Sequence, residues 1–330
     1  MKVGQRITSA FMAAAIAATL AISSEITVNA EDKSGKCGDN LTWTIDASGT
    51  TLTISGTGEM YDNDDDRNTL CSDLKRRDRN AVVNLVLEEG ITSIGKEVFD
   101  SFDGIKEVTI PDTVTTIGEE AFESCDNLTK VEMTDSVTSI GIQAFSNCEN
   151  LTSVTLSPNV TILEKDVFKH CGFQEISIPN TIKRISERAF KANDETLTAV
   201  YIPESVVLIE GYSLNGDALK SVIIENPDCV IEKHFIDNDN FKGTIYGKAD
   251  STAQKYAEEN NIKFENIDNA PKIDSEKSGL KLYSSGILGF GSSSDSNSSV
   301  ILYIAIGAIA AALIAVIIIL VLKRNKKSNS

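Results

Sequence analysis

Residues 105–125 read IKEVTIPDTVTTIGEEAFESC and residues 128–148 read LTKVEMTDSVTSIGIQAFSNC. Overlaid, they match at Val108/Val131, Val114/Val137, Ile117/Ile140, Ala121/Ala144, Phe122/Phe145 and Cys125/Cys148, each pair 23 residues apart. The beat runs outward both ways. Phe99, Phe168 and Phe190 extend the Phe series, Leu214 takes its sixth place, and apolar pairs recur from Leu85/Leu87 through Val154/Leu156, Ile176/Ile178 and Val200/Ile202 to Val222/Ile224. A fixed period of this length marks a chain of stacked units. Within a pair the spacing is two, that of a strand with one buried face, and Pro111, Pro179 and Pro203 end strands because proline cannot donate to a ladder. The apolar residues three apart that follow, such as Val114 and Ile117, predict a compact turn or short helical segment.

One unit offers about six inward side chains at roughly 1.5–3 kcal/mol each, against an ordering cost near 1.5 kcal/mol per residue. It cannot fold alone, whereas stacked units bury a continuous core. The reading is a solenoid over residues 81–242, with one parallel β-sheet and short helical or irregular turns opposite. Leu41-Thr-Trp43-Thr-Ile45 and Leu52-Thr-Ile54 predict a β cap within 31–80. The segment Thr252 to Glu259 with Ile262-Lys-Phe264 predicts a C-terminal cap over 243–268.

The pattern L-x-x-V-x-I-P-x-x-V-x-x-I-G-x-x-A-F-x-x-C, nearly whole in the two quoted stretches, resembles the BspA-like leucine-rich repeats of bacterial surface proteins and some protists. Cys37 to Trp43 with Ser55-Gly-Thr-Gly58, and Gly247 to Ala253 with Tyr256-Ala257, resemble that family's entry and exit segments. The resemblance covers roughly residues 37–268. It implies a leucine-rich-repeat solenoid used for adhesion or recognition, with no activity common to the family. The repeat departs from the pattern at residues 171–178, where it is one residue short, and at Leu214.

The two ends speak to location. Lys2 and Arg6, an apolar run from Ala10 to Ile22, and Val28-Asn29-Ala30 read as a secretory signal over 1–30. Val300 to Leu322 is 23 residues without a charge, about 34 Å as a helix, followed by Lys323, Arg324, Lys326 and Lys327. The reading is a single transmembrane helix over 300–322 with a basic cytoplasmic tail, 323–330, and the solenoid outside the cell. Residues 269–299, rich in Ser, Asp, Asn and Gly, read as a disordered linker.

Lys and Arg number 31 against 48 Asp and Glu in 330 residues, a net charge of −17, which opposes nucleic-acid binding. Two histidines leave little material for acid–base or metal chemistry. His170-Cys171 has no orienting partner at a diagnostic spacing. Asp62, Asp64 and Asp66 are the candidate calcium ligands, yet Arg67 stands where a calcium loop needs Gly and Asp73 where Glu is usual, so the run reads as a solvated loop. No metal site, cofactor or enzymatic activity is expected. Cys125, Cys148 and Cys171 recur in phase and read as a buried packing column; Cys37 and Cys71 are either a disulfide or two thiols. Asn127 and Asn150 form acceptor triplets for glycans that repeat grammar explains equally well.

The remaining candidate is the outward row between the inward pairs: Thr109, Glu132, Thr155, Ser177, Tyr201 and Ile223, preceded by Val86. The expected role is recognition of an extracellular protein or glycan on this row. The alternative is a structural spacer or surface-layer protein without a specific ligand. No sequence feature sets an oligomeric state.

Overall fold

Alternating burial in the N-terminal region produces β2 (Asn40–Ile45) and the start of β3 (Thr51–Glu59), with β1 (Lys33–Lys36) added at the edge, all paired antiparallel in chain order over the buried Leu41, Trp43 and Ile54. Helix α1 (Arg76–Ala81) leads into seven coils, each with two short strands. These are β4 (Asn84–Leu87) with β5 (Ile91–Ile94), β6 (Glu107–Thr109) with β7 (Thr116–Ile117), and β8 (Lys130–Glu132) with β9 (Ser139–Ile140). Then come β10 (Ser153–Leu156) with β11 (Ile162–Leu163), β12 (Glu175–Ser177) with β13 (Arg184–Ile185), β14 (Ala199–Ile202) with β15 (Leu208–Ile209), and β16 (Ser221–Ile224) with β17 (Val230–Ile231). The coils end in β18 (Thr244–Gly247), α2 (Thr252–Glu259) and β19 (Lys263–Asn266), and a last strand is β20 (Leu280–Leu282). This computed structural model describes residues 33–63, 70, 74–193, 196–237, 240–273 and 278–283, all within one unit that ends at Ser284.

Neighbouring coils pair in parallel on two sides, where the sequence predicts one sheet. The apolar residues three apart, read as helical spacing, instead straddle a corner. Val114 donates its N–H to the Pro111 carbonyl in a turn (3.1 Å), and Ile117 then points inward from the second strand. β3 joins both sheets, pairing through Thr51 to Ile54 with β4 and through Gly58 and Glu59 with β5.

The third side is irregular turn. In each of the last two coils one non-glycine residue takes a left-handed backbone, Tyr212 and His234, and in each of the first five coils two do, as at Glu120 (φ 55°) and Ser124 (φ 56°). Such a backbone lets the residue between them pair with the next coil: the Phe122 N–H donates to the Ala144 carbonyl at 2.9 Å, and Phe145 does so to Val167 at 3.1 Å. Inside, Phe99, Phe122, Phe145, Phe168 and Phe190 form one stack, with centroids 5.1, 5.4, 5.8 and 5.7 Å apart. Leu214 and Phe235 extend the buried column, and the Phe235 ring meets Tyr256 of α2 edge-on at 4.7 Å, which ties the core to the cap helix.

The long-strand side holds the largest departure from the sequence reading. β10 and β12 belong to separate ladders, and between them lies β20, drawn from the segment read as linker. β20 pairs in parallel with β10, Leu280 opposite Val154 and Lys281 opposite Thr155. Toward the other side, the Gly279 N–H donates to the Glu175 carbonyl (3.0 Å) and the Ser177 N–H to Ser278 Oγ (2.8 Å). The fifth coil explains the gap. Its chain is one residue short, and Phe173 takes the place that Leu128 and Leu151 hold in earlier coils, its ring edge-on to Phe168 and Phe190. Gly279 lies on that ring so closely that a Cβ there would stand 2.2 Å from Phe173 Cδ1.

No helix among the described residues is long and apolar enough to cross a membrane. The signal segment 1–30, the spanning segment 300–322 and the tail 323–330 lie outside the described residues.

Candidate functional site

In a parallel sheet, residues in register share a face. Thr109, Glu132, Thr155 and Lys281 are in register across β6, β8, β10 and β20. Ser177, Tyr201, Ile223, Tyr246 and Glu265 are in register across β12, β14, β16, β18 and β19. Thr109 is exposed, and Glu132, Thr155, Ser177 and Tyr201 are half-buried. Glu132 pairs with Lys130 at 2.7 Å. Val86, in β4, is exposed.

Ile223 corrects the expected row, since it is only 3% exposed. Its in-register neighbours are Tyr201 on one side and Tyr246 on the other, and two rings flank one aliphatic side chain. It packs the face and offers no contact to a partner.

Between the two rows, β20 builds what the sequence did not foresee. Leu280, Lys281 and Leu282 wall a shallow cleft of about 650 Å³ whose other residues include Ser177, Pro179, Asn180, Tyr201 and Glu225. Tyr201 Oη donates to Glu225 Oε2 at 2.6 Å, and the Glu204 N–H donates to the same oxygen at 3.1 Å. Burial first, then the bond to Glu225, push the Tyr201 phenol up to about 12. The cleft thus offers a ring held in place by a carboxylate, an amide, a hydroxyl, a cation at the rim and apolar walls. That is the equipment of a binding site.

Because the folded phenol keeps its proton above the unfolded value near 10, its contribution to stability is complete below about pH 10 and is lost as pH rises through 12. The ultraviolet titration difference between wild type and Tyr201→Phe therefore shows a phenolate step near pH 12, and Glu225→Gln moves that step back toward 10. A wild-type step already at 10 contradicts the Tyr201–Glu225 pairing.

The cysteine column does more than fill space. Cys125, Cys148 and Cys171 are buried and each thiol donates to the carbonyl of a Phe one coil back: Phe99 at 3.2 Å, Phe122 at 3.1 Å and Phe145 at 3.3 Å. In the next coil Asn193 takes over, its Nδ2 donating to the Phe168 carbonyl at 3.2 Å. Burial raises all three thiols well above their usual range, which favours the protonated form of Cys171 beside His170. Cys148→Ala, which removes the donor from a buried carbonyl, costs about 1–3 kcal/mol in a denaturant melt. An unchanged midpoint refutes that role.

Cys37 is buried with a free thiol, and Cys71 lies outside the described residues. Asp62 Oδ1 accepts the Lys96 N–H at 2.8 Å and so ties the segment after β3 to the first coil, while Asp64 and Asp66 lie outside the described residues. His234 stacks on Tyr212 at 5.8 Å. Asn127 and Asn150 donate Nδ2 to the carbonyls of Asp103 and Asp126 in the preceding coil, at 2.6 and 2.8 Å, the structural role that repeat grammar implies.

The family model described as a BspA type leucine rich repeat region matches residues 78–196 in six copies. Among solved structures, the chain is similar to a leucine-rich repeat protein from Bacteroides ovatus, with 16% identity, 78% of each chain covered and a TM-score of 0.44. It is also similar to a leucine rich cell surface protein from Faecalibacterium prausnitzii, with 17% identity, 78% of this chain and 96% of that one covered, and a TM-score of 0.35. A third similarity is to a leucine-rich repeat protein from Eubacterium ventriosum, with 19% identity, 66% and 85% covered, and a TM-score of 0.30. No curated protein matches the chain.

Proposed function

We propose that this chain, whose residues 78–196 form a BspA-type leucine-rich repeat region, is a non-enzymatic cell-surface protein that recognises an extracellular protein or glycan on its long-strand face. The observation that carries the reading is the cleft beside Tyr201, where a ring, a carboxylate, an amide and a lysine converge on the outward side of an extended sheet. Aromatic rings with fixed orientation and nearby hydrogen-bonding groups suit both sugar faces and peptide side chains. The secretory signal and the single apolar segment 300–322 support export and anchoring in the cell membrane, with the tail inside. The acidic composition fits a protein that stays soluble at a surface and avoids anionic lipid.

An array of glycans and extracellular proteins probed with residues 31–299 tests this. The expected result is a saturable hit that Tyr201→Ala with Glu132→Ala weakens at least tenfold, about 1.4 kcal/mol. Silence across the array, or a hit indifferent to the double variant, sinks the reading and favours a spacer without a ligand.

A further inference from the structure

The gap between β10 and β12 is a site for a strand, and its occupant joins the sheet from outside the repeat order. All other long strands from β6 to β19 pair with the strand of an adjacent coil or cap. β20 reaches back about a hundred residues. It satisfies both flanking edges: the Val154 N–H donates to the Gly279 carbonyl (2.7 Å), the Tyr283 N–H to the Leu156 carbonyl (2.7 Å), Gly279 donates to Glu175, and Ser278 Oγ accepts from Ser177. Two side chains, Leu280 at 2% exposure and Ser278 at 3%, are buried with it, and the missing Cβ of Gly279 fits the Phe173 ring.

We propose that this slot is a strand-acceptor site that takes residues 278–283 either from its own chain or from a second copy, so that molecules link by exchanging their C-terminal strands. Three observations carry this. The segment follows the cap, so its withdrawal undoes no coil. The docked stretch is short, with few backbone bonds and one buried apolar anchor beside the buried Ser278, so it opens locally at far lower cost than global unfolding. Its strand pairing and its hydrogen bonds to other strands run to coils four and five of the same solenoid, so a second copy supplies the same partners and exchange creates no new interface to stabilise. The own-chain strand is tethered across five strand spacings, about 24 Å, at an effective concentration in the millimolar range. Exchange is therefore minor in dilute solution and grows with local density.

Thr155 and Lys281 lie opposite each other in neighbouring parallel strands, a separation that a disulfide tolerates. The test uses the full chain in detergent micelles. The double variant Thr155→Cys with Lys281→Cys is expected to lock within one chain. Two differently tagged single variants, Thr155→Cys and Lys281→Cys, are then mixed under mild oxidation. A disulfide between the two tags is expected to accumulate in proportion to protein concentration, and Gly279→Val in the chain carrying Lys281→Cys is expected to remove it. Three results overturn the proposal: no mixed disulfide at any concentration while the double variant locks, failure of the double variant to lock, or a mixed disulfide indifferent to Gly279→Val.

Discussion

Phe145→Ala lowers the unfolding free energy by about 3–5 kcal/mol. Phe145 is the middle ring of five, stacked on Phe122 at 5.4 Å and on Phe168 at 5.8 Å, and it is fully buried. Its removal opens a cavity that coils on either side cannot collapse into, because their own backbones are bonded to one another along the turn side, Phe145 to Val167 and Phe122 to Ala144. A solenoid is stabilised by nearest-neighbour interfaces, so a defect at the centre weakens the two interfaces that join its halves. Denaturant melts followed by circular dichroism should show the midpoint falling, with the transition splitting or broadening. A loss under about 1 kcal/mol is outside what a buried Phe truncation allows.

Gly279→Val expels β20. The position has no room for a Cβ, which would stand 2.2 Å from the Phe173 ring, and the ring is fixed between Phe168 and Phe190. Overpacking at such a site costs roughly 1–3 kcal/mol or more, comparable to what a short docked strand contributes, so the strand leaves and the coils stay. Hydrogen exchange reads this directly: the Val154, Gly279 and Tyr283 amides lose protection by at least tenfold, while Phe122 and Phe145 keep theirs. If Gly279→Val leaves the Val154 amide protected, β20 is not what covers it. The same variant removes the Leu280–Leu282 wall of the cleft, so any ligand of the Tyr201 site loses affinity with it.

How much was legible depended on whether a signal repeated. The 23-residue beat fixes the coils, because each Phe and each apolar pair is confirmed by its neighbours in phase. The second strand of each coil was hidden by its length: Thr116–Ile117 and Ser139–Ile140 are two residues, too short to show a period, and their inward residues follow a corner at helical spacing. β20 was hidden for another reason. Ser-Gly-Leu-Lys-Leu-Tyr carries a single alternation inside a Ser-rich segment, and its stability comes from a gap made a hundred residues earlier, at the shortened repeat around Phe173. Local composition cannot report that, although the shortened repeat was visible. Ile223 misled because alternation tells which side a residue faces and not what stands beside it, here Tyr201 and the cap strand's Tyr246. The donor role of the cysteines had a signal that was passed over, since Asn193 succeeds them near the same place in the turn, and a side-chain donor is what Cys and Asn share.

The place where the chain leaves the sheet decides how the protein bears a pull. The described chain ends at Tyr283, beside Leu156 and midway along the stack. Tension applied from the C-terminal side therefore enters at coils four and five and reaches the end cap only after β20 has slid free. The strand lies parallel to β10, so a pull along its axis loads the Val154 and Tyr283 bonds together in shear, whereas a pull away from the sheet opens them one at a time. The solenoid is gripped like a beam at its middle, and the grip is a replaceable fuse that yields before the coils do, since the docked strand follows the cap and its release undoes none of them.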